Sequence, residues 1–236
     1  RIYGFDNIPE LPLDTYHGEY HDKLNINEKL VMLGYKEVIN FTFISKNYSN
    51  NKKELKLENP ISNEKSVMRE SLIPGLLSNI VYNANRQHKS IQLFERGKTY
   101  SKNKAKLLEP NTISGVLYGN RSSTDLVSKS YEYGIGDLKS DILSLFPNIS
   151  FEVNKESIYF DVNNSLRLLI DNKMIGECGL ISPDLVKDID IKGNIFAFEI
   201  IEDNLKQENK MTFTEVSQLP AVYKDITLIT NIDNNI

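Results

Sequence analysis

The chain has 236 residues, of which 40% are hydrophobic and 25% charged. This is the composition of one large globular domain, or of one domain with part of another. Its formal charge of −4 disfavours a dedicated nucleic-acid-binding domain, because such domains neutralise phosphates with a net basic surface. The single cysteine, Cys178, excludes a disulfide framework and a multi-cysteine zinc site. With no apolar stretch of about 20 residues and no signal pattern, the chain is expected in the cytoplasm and away from membranes.

A helix followed by a strand is the first element that the sequence predicts. Ile26, Leu30 and Leu33 have the spacing of one apolar helix stripe, and Gly34 can end that helix in a left-handed cap. Apolar and polar residues then alternate through residues 38–43, which predicts a strand.

The middle of the chain predicts a second helix and a hairpin. Leu76, Leu77 and Ile80 share one helix face, and Pro74 fits only in the first turn of that helix. Residues 90–100 are predicted to form a hairpin that turns at Arg96-Gly97, and residues 111–120 a further strand.

The second half predicts two more helices and a set of antiparallel strands. A helix is expected to end before Pro147, and a short one to begin at Ser182-Pro183. Asp171-Asn172 is a hairpin turn signal between two apolar runs, and residues 195–200 complete the strands. Adjacent antiparallel strands with inserted helices indicate an α+β fold.

No catalytic motif stands out along the chain. A GxxxxGK[ST] phosphate loop and a GxSxG nucleophile elbow are both missing from the sequence, and Cys178 reads as a buried, inert thiol. We therefore assign no catalytic, cofactor-binding or metal-binding residue.

A series of short segments resembles the β subunit of bacterial phenylalanyl-tRNA synthetase. LGYKEVINFTFIS is followed by LENPISNEKSVMRESLIPGLLSNIVYNANRQHKSIQLFERGKTY. That family has a Gly-Tyr turn, Asn-Pro-Ile-Ser, Met-Arg-x-Ser-Leu-x-Pro-Gly-Leu-Leu, Asn-x-x-Arg-Gln and Phe-Glu-x-Gly in this order. The resemblance covers essentially the whole chain.

The resemblance implies three parts. Residues 1–20 (beginning RIYGFDNIP) are similar to the arm that leaves a preceding small domain. Residues 21–210 are similar to a catalytic-like module with the class II aminoacyl-tRNA synthetase fold, an antiparallel sheet flanked by helices. Residues 211–236 (containing LPAVYKDITLIT) are similar to the start of a ferredoxin-like anticodon-binding domain.

The resemblance also implies that catalysis and subunit assembly belong to different subunits. Residues 26–43 are similar to the first class II motif, which serves subunit assembly, and residues 91–100 lie in the place of the second. No third, Gly-rich, Arg-ending motif follows, so activation of phenylalanine with ATP and magnesium would belong to a separate α subunit. The module would be a non-catalytic assembly part of an α2β2 enzyme that charges tRNA(Phe), with no cofactor of its own.

Candidate residues for contact with the α subunit are Ile26, Leu30, Leu33, Arg69, Asn85 and Arg86. The apolar stripe of the first helix can face a partner or pack inside its own module. Arg69 can pair across an interface or act internally. Arg86, beside Asn85, ends a helix, where a cation also interacts favourably with the helix dipole. An alternative function is a degenerate class II module that still binds ATP, through Arg86 or Arg96, or tRNA.

Overall fold

The computed structural model describes residues 25–46, 55–60, 62, 65–103, 106–121, 130–187 and 191–205, which belong to one compact unit. The predicted N-terminal arm (1–20) and the predicted start of an anticodon-binding domain (211–236) lie outside these residues. The helices are α1 (Ile26–Met32), α2 (Ile73–Ala84), α3 (Ile135–Leu145), α4 (Pro183–Val186) and a 3-10 turn (Glu202–Asn204). The strands are β1 (Lys36–Glu37), β2 (Phe43–Ile44), β3 (Val67–Met68), β4 (Ser90–Lys98), β5 (Ser101–Asn103), β6 (Lys106–Leu108), β7 (Asn111–Gly119), β8 (Ser150–Val153), β9 (Phe160–Ile170), β10 (Lys173–Ile181) and β11 (Ile195–Ile201).

Seven strands form one sheet in the order β1-β4-β7-β11-β10-β9-β8. The short edge strand β1 is parallel to β4, and all the other neighbours in this sheet are antiparallel. The pairs β2–β3 and β5–β6 form two small antiparallel sheets. This arrangement confirms the predicted α+β class with an antiparallel sheet flanked by helices.

The two faces of the sheet pack against different helices. α1 and α3 cover one face, where Leu30 and Ile142 pack with Phe94 and Phe198. α2 covers the other face, where its buried residues pack with strand residues such as Val116. Strand β11 alternates between the two faces, as the period of two in a strand requires.

The helix ends and the turn that the sequence marks with Gly, Pro, Asp or Asn residues lie where they were predicted. α1 ends at Met32, and Gly34 follows with a φ of +98°. Asp171 and Asn172 form the turn between β9 and β10, both with positive φ, as a two-residue type I′ turn needs. α4 begins directly after Ser182 with Pro183 in its first turn, and α3 ends before Pro147.

The hairpin predicted at Arg96-Gly97 is wrong. β4 runs straight through both residues, and its ladder with β7 is continuous from Ser90↔Gly119 to Lys98↔Asn111. Gly97 allows a close approach instead of a turn, because a Cβ atom there would collide with the guanidinium group of Arg69.

The strand predicted through residues 38–43 is divided. β1 ends at Glu37, and Phe43 begins β2 in a separate sheet. Val38 still donates its backbone N–H to the carbonyl of Phe94, at 2.9 Å, but Asn40 donates to a side chain instead of a strand. At this edge of the sheet, a hydrogen bond to the side chain of Glu95 therefore replaces the backbone hydrogen bond of a continued strand.

Leu30 lies at the centre of the contact between α1 and the sheet, with none of its side chain exposed. We expect Leu30→Ala to lower the free energy of unfolding by about 2–5 kcal/mol, because it removes buried methyl groups and leaves a cavity. Met32→Ala, at a position 73% exposed on the same helix, is the matched control and should change stability by less than about 0.5 kcal/mol. Urea unfolding of both variants measures the difference; equal losses would contradict this packing.

Candidate functional site

The apolar stripe of α1 lies inside the module. Leu30 is fully buried, and Ile26 and Leu33 are partly buried against the same core cluster. Of the two readings that the sequence leaves open, the structure places this stripe in internal packing. A role of these residues in a subunit interface stays a prediction.

Arg69 is also internal. Its guanidinium group is 2.5 Å from the carboxylate of Glu95, and its Nε donates to the carbonyl oxygen of Lys98 at 3.0 Å. Only 6% of Arg69 and 2% of Glu95 are exposed. The pair therefore joins the segment before α2 to β4. Because both groups are buried, removing either one would leave the other as an unpaired buried charge.

Asn85 and Arg86 end α2 at the surface. Asn85 is the C-terminal cap residue of this helix. The guanidinium group of Arg86 lies 3.4 Å from the ring centroid of Tyr82 and donates to the Tyr82 carbonyl oxygen at 2.9 Å. Both residues are exposed, so they are accessible, and the contacts of Arg86 described here are local.

Four apolar side chains near the sheet edge are exposed. Val31 and Met32 lie on α1, and Ile39 and Phe41 follow β1, with 57%, 73%, 92% and 67% of their surface exposed. We call these four residues the edge surface. Single exposed apolar residues are common, but a group within eleven residues of sequence beside an edge strand is typical of an interface.

Polar residues of the same segment point inward. Asn40 binds the buried carboxylate of Glu95 through its backbone N–H, at 3.1 Å, and through its side-chain amide, at 2.7 Å. Its side-chain oxygen accepts a hydrogen bond from Asn79 of α2 at 2.9 Å. The alternation seen in the sequence is therefore real: Val38, which packs against the core under α2, and Asn40 face the module. Ile39 and Phe41 face out, and the Lys65 ammonium lies 3.5 Å from the centroid of the Phe41 ring.

A second buried carboxylate lies near the start of α2. Glu199 of β11 accepts hydrogen bonds from the Ser71 hydroxyl, at 3.0 Å, and from the Leu72 backbone N–H, at 2.7 Å. Burial raises the pKa of Glu199 to about 7, despite these hydrogen bonds. Glu177 of β10, directly opposite in the ladder, also raises this pKa by charge repulsion.

Glu177 and Glu199 line a small pocket. It has a volume of about 170 Å³, and its other walls include Tyr159, Phe160 and Met174. Asn154 holds Glu177 by a hydrogen bond of 2.8 Å. The carboxyl groups that line this pocket, of which Glu199 loses its proton only near pH 7, disfavour a phosphate group.

Every arginine in the described part of the chain already has a partner. Arg96 pairs with Glu202 at 2.8 Å, in contrast to its predicted position in a turn. Arg121 pairs with Asp137, and Arg167 with Glu156 at 2.8 Å. Together with the contacts of Arg69 and Arg86, these pairs occupy the groups that would bind phosphates.

Cys178 is fully buried between the sheet and α3, and burial raises the pKa of its thiol to about 12. This confirms the prediction of a buried thiol that is not poised to react. Among the residues that the structure describes, no group of three or more His, Cys, Asp or Glu side chains is arranged to hold a metal ion. In the same part of the chain, no helix is long and apolar enough to cross a membrane.

Sequence reasoning missed Asn40, Glu95 and Glu199. The signal for the two glutamates was present, since each interrupts an apolar strand: IQLFERG and IFAFEII. A single charge in an otherwise buried strand indicates a buried, paired carboxylate. The partners could not be identified in this way, because Arg69 and Ser71 are 26 and 128 residues away from them.

The fold is that of a class II aminoacyl-tRNA synthetase. A solved structure described as a pyrrolysyl tRNA synthetase of Desulfitobacterium hafniense matches with a TM-score of 0.55 and 15% sequence identity. The match covers 75% of this chain and 64% of that one. At this identity the likeness shows the fold alone.

The chain belongs to the family described as the phenylalanyl tRNA synthetase beta chain CLM domain, whose sequence model matches residues 8–201. Curated relatives named phenylalanine–tRNA ligase beta subunit agree. Those of Wigglesworthia glossinidia brevipalpis and Buchnera aphidicola subsp. Acyrthosiphon pisum are 34% and 32% identical, each over 97% of this chain. That of Francisella tularensis is 30% identical, also over 97% of this chain. The chain spans about a third of the length of these relatives, namely 31%, 31% and 30%.

The raised pKa of Glu199 gives a testable pH dependence. An unfolded glutamate has a pKa near 4.5, so between about pH 4.5 and 7 only the folded state holds this proton and stability falls as the pH rises. Glu199→Gln removes this loss while keeping an oxygen that accepts from Ser71 and Leu72. We expect the variant to be more stable than the parent chain at pH 8, by about 1–3 kcal/mol, with the difference shrinking towards pH 4.5.

Urea unfolding of the parent chain and of Glu199→Gln at pH 5, 6, 7 and 8 measures this effect. Glu152→Gln, which removes one carboxylate from the exposed side of β8, is the control and should follow the parent profile. A gain for Glu199→Gln that is equal at every pH would show that it does not come from titration of Glu199.

Proposed function

We propose that this chain is a non-catalytic assembly module of phenylalanine–tRNA ligase, and that it binds the α subunit of that enzyme through the edge surface. In this proposal the α subunit uses ATP and magnesium to activate phenylalanine, and the α2β2 enzyme charges tRNA(Phe) in the cytoplasm. Membership of the beta chain family supports the choice of partner.

The observation that carries the proposal is the reversed alternation beside β1. If the outer side of this segment always remained in water, Asn40 would be expected on the outer side, and Ile39 and Phe41 on the inner side. Here Ile39 is 92% exposed while Asn40 is hydrogen-bonded to a buried carboxylate. Exposing two large apolar side chains is unfavourable for the module alone and becomes favourable when a partner covers them.

The position of the edge surface supports the same partner. α1 and the segment after β1 correspond to residues 26–43, which resemble the class II motif that serves subunit assembly. β1 is an edge strand of the sheet, and among the described residues no strand pairs with its outer side.

The electrostatics of the sheet support the absence of catalysis. Phosphoryl and adenylyl chemistry needs unpaired cationic groups aimed at phosphate oxygens. The residues that line the pocket at Glu177 and Glu199 include no Lys or Arg, and Arg96 on β4 is paired with Glu202. The alternative, ATP or tRNA binding by this module itself, stays a prediction.

The edge surface can be tested by replacing Ile39 and Phe41 together with serine. We expect the Ile39→Ser/Phe41→Ser variant to bind the α subunit about 10- to 100-fold more weakly, because two central apolar contacts are lost. Sedimentation velocity of the full natural polypeptide with the α subunit of the same source measures the affinity, and circular dichroism checks the fold.

Val153→Ser/Ile158→Ser is the matched control. These two side chains are also exposed, at 65% and 54%, but they lie at or just after β8, the opposite edge strand of the sheet. The control should keep the parent affinity. Equal loss in both variants, or no loss in the first, would contradict the proposed interface.

Catalysis can be tested by phenylalanine-dependent exchange of pyrophosphate into ATP. We expect no exchange by the purified chain alone, because the arginines that the structure describes, such as Arg69, Arg86 and Arg96, contact carboxylates or an aromatic ring. Adding the α subunit should give a stable complex that contains all the exchange activity. Exchange by the chain alone would overturn the non-catalytic proposal and direct attention to Arg96.

A further inference from the structure

One buried carboxylate connects four segments of the module. Glu95 of β4 accepts hydrogen bonds from Asn40, which follows β1, and from Arg69, which precedes α2. Asn40 in turn accepts from Asn79 on α2. The backbone N–H of Arg69 donates to the carbonyl of Thr42 at 2.9 Å, so the same segment is held at a second point.

Two glycines leave room for this arrangement. A Cβ atom on Gly75 of α2 would lie 3.0 Å from the Cβ of Asn40. A Cβ atom on Gly97 of β4 would collide with Arg69. Gly97 lies inside a strand, where a glycine reduces stability, so the close approach of Arg69 has a cost at that position.

We propose that Asn40 and Glu95 are positioning residues for the interface with the α subunit: they keep Ile39 and Phe41 pointing outward. This rests on the function proposed above and adds to it the group that orients the contact residues. Neither Asn40 nor Glu95 reaches the surface enough to be the contact itself, since Glu95 is buried and Asn40 is bound on its inner side.

The physical reason is the register of the segment. In an alternating segment a shift by one residue moves every side chain to the opposite side. Burial of Ile39 or Phe41 favours such a shift, while the loss of the Val38 packing against the core under α2 opposes it. The hydrogen bonds of Asn40 oppose it, because the shift would leave the Glu95 carboxylate without two of its three donors in a buried site.

Replacing Asn40 with alanine tests the proposal without altering the outer surface. In the full natural polypeptide, we expect Asn40→Ala to weaken binding of the α subunit about tenfold. Asn79→Ala, which removes only the donor to the Asn40 side-chain oxygen, is a milder change and should weaken binding about threefold. In both variants, hydrogen exchange should become faster at the backbone N–H of residue 40, which donates to Glu95 in the parent chain.

Testing Asn40→Ala in the Ile39→Ser/Phe41→Ser variant distinguishes a positioning role of Asn40 from a general loss of stability. Combined with Ile39→Ser/Phe41→Ser, Asn40→Ala should cause no further loss of affinity, because residues that act as one unit are not additive. Ser71→Ala removes a buried hydroxyl near the same end of α2, where it binds Glu199. This control should lower the melting temperature and leave the affinity within about twofold.

Each outcome decides one question. If Ile39→Ser/Phe41→Ser weakens binding but Asn40→Ala and Asn79→Ala do not, the positioning role is overturned and the interface stands. If the loss from Asn40→Ala adds in full to that of the double variant, the positioning role is overturned too. If Ile39→Ser/Phe41→Ser has no effect, the interface itself is wrong.

Discussion

The rest of this module depends on the buried pair of Arg69 and Glu95. Both charges are removed from water, and such a pair adds little net stability compared with apolar residues of the same size. Its effect is on geometry, because moving Arg69 away would leave a buried carboxylate without its counter-ion. The chain therefore has one arrangement of β4, α2 and the segment after β1 in which all these polar groups are satisfied. The orientation of Ile39 and Phe41 is a consequence of that arrangement.

The two faces of the sheet differ in chemistry for a related reason. The face under α1 and α3 is apolar, from Phe94 to Phe198. The face under α2 carries the carboxylates of Glu95, Glu177 and Glu199, each with its own donors. In a class II fold that binds ATP, cations aimed at phosphates are required. A layer of hydrogen-bonded carboxyl groups instead specifies how the strands and the start of α2 fit together.

Local signals were enough to predict much of the fold. The cap at Gly34, the turn at Asp171-Asn172 and the start of α4 each depend on residues within a few positions of one another. The Arg96-Gly97 turn failed because the same glycine serves a contact with Arg69, a residue distant in sequence. The apolar alternation after β1 was recognised, yet its direction depends on Glu95, which is 55 residues from Asn40. Periodicity gives the two sides of a strand, and only tertiary partners decide which side is inside.

The same limit explains why the stripe of α1 could not be assigned from sequence. A helix of seven residues has room for one apolar stripe against its own core, and here Leu30, with Ile26 and Leu33 partly buried beside it, forms that stripe. The exposed apolar residues of α1 are Val31 and Met32, one and two positions further on. They lie in the chain directly before the segment that presents Ile39 and Phe41. The assembly role proposed for this module therefore requires a second set of apolar residues beside the stripe, and we propose that the outward-facing segment after β1 supplies it.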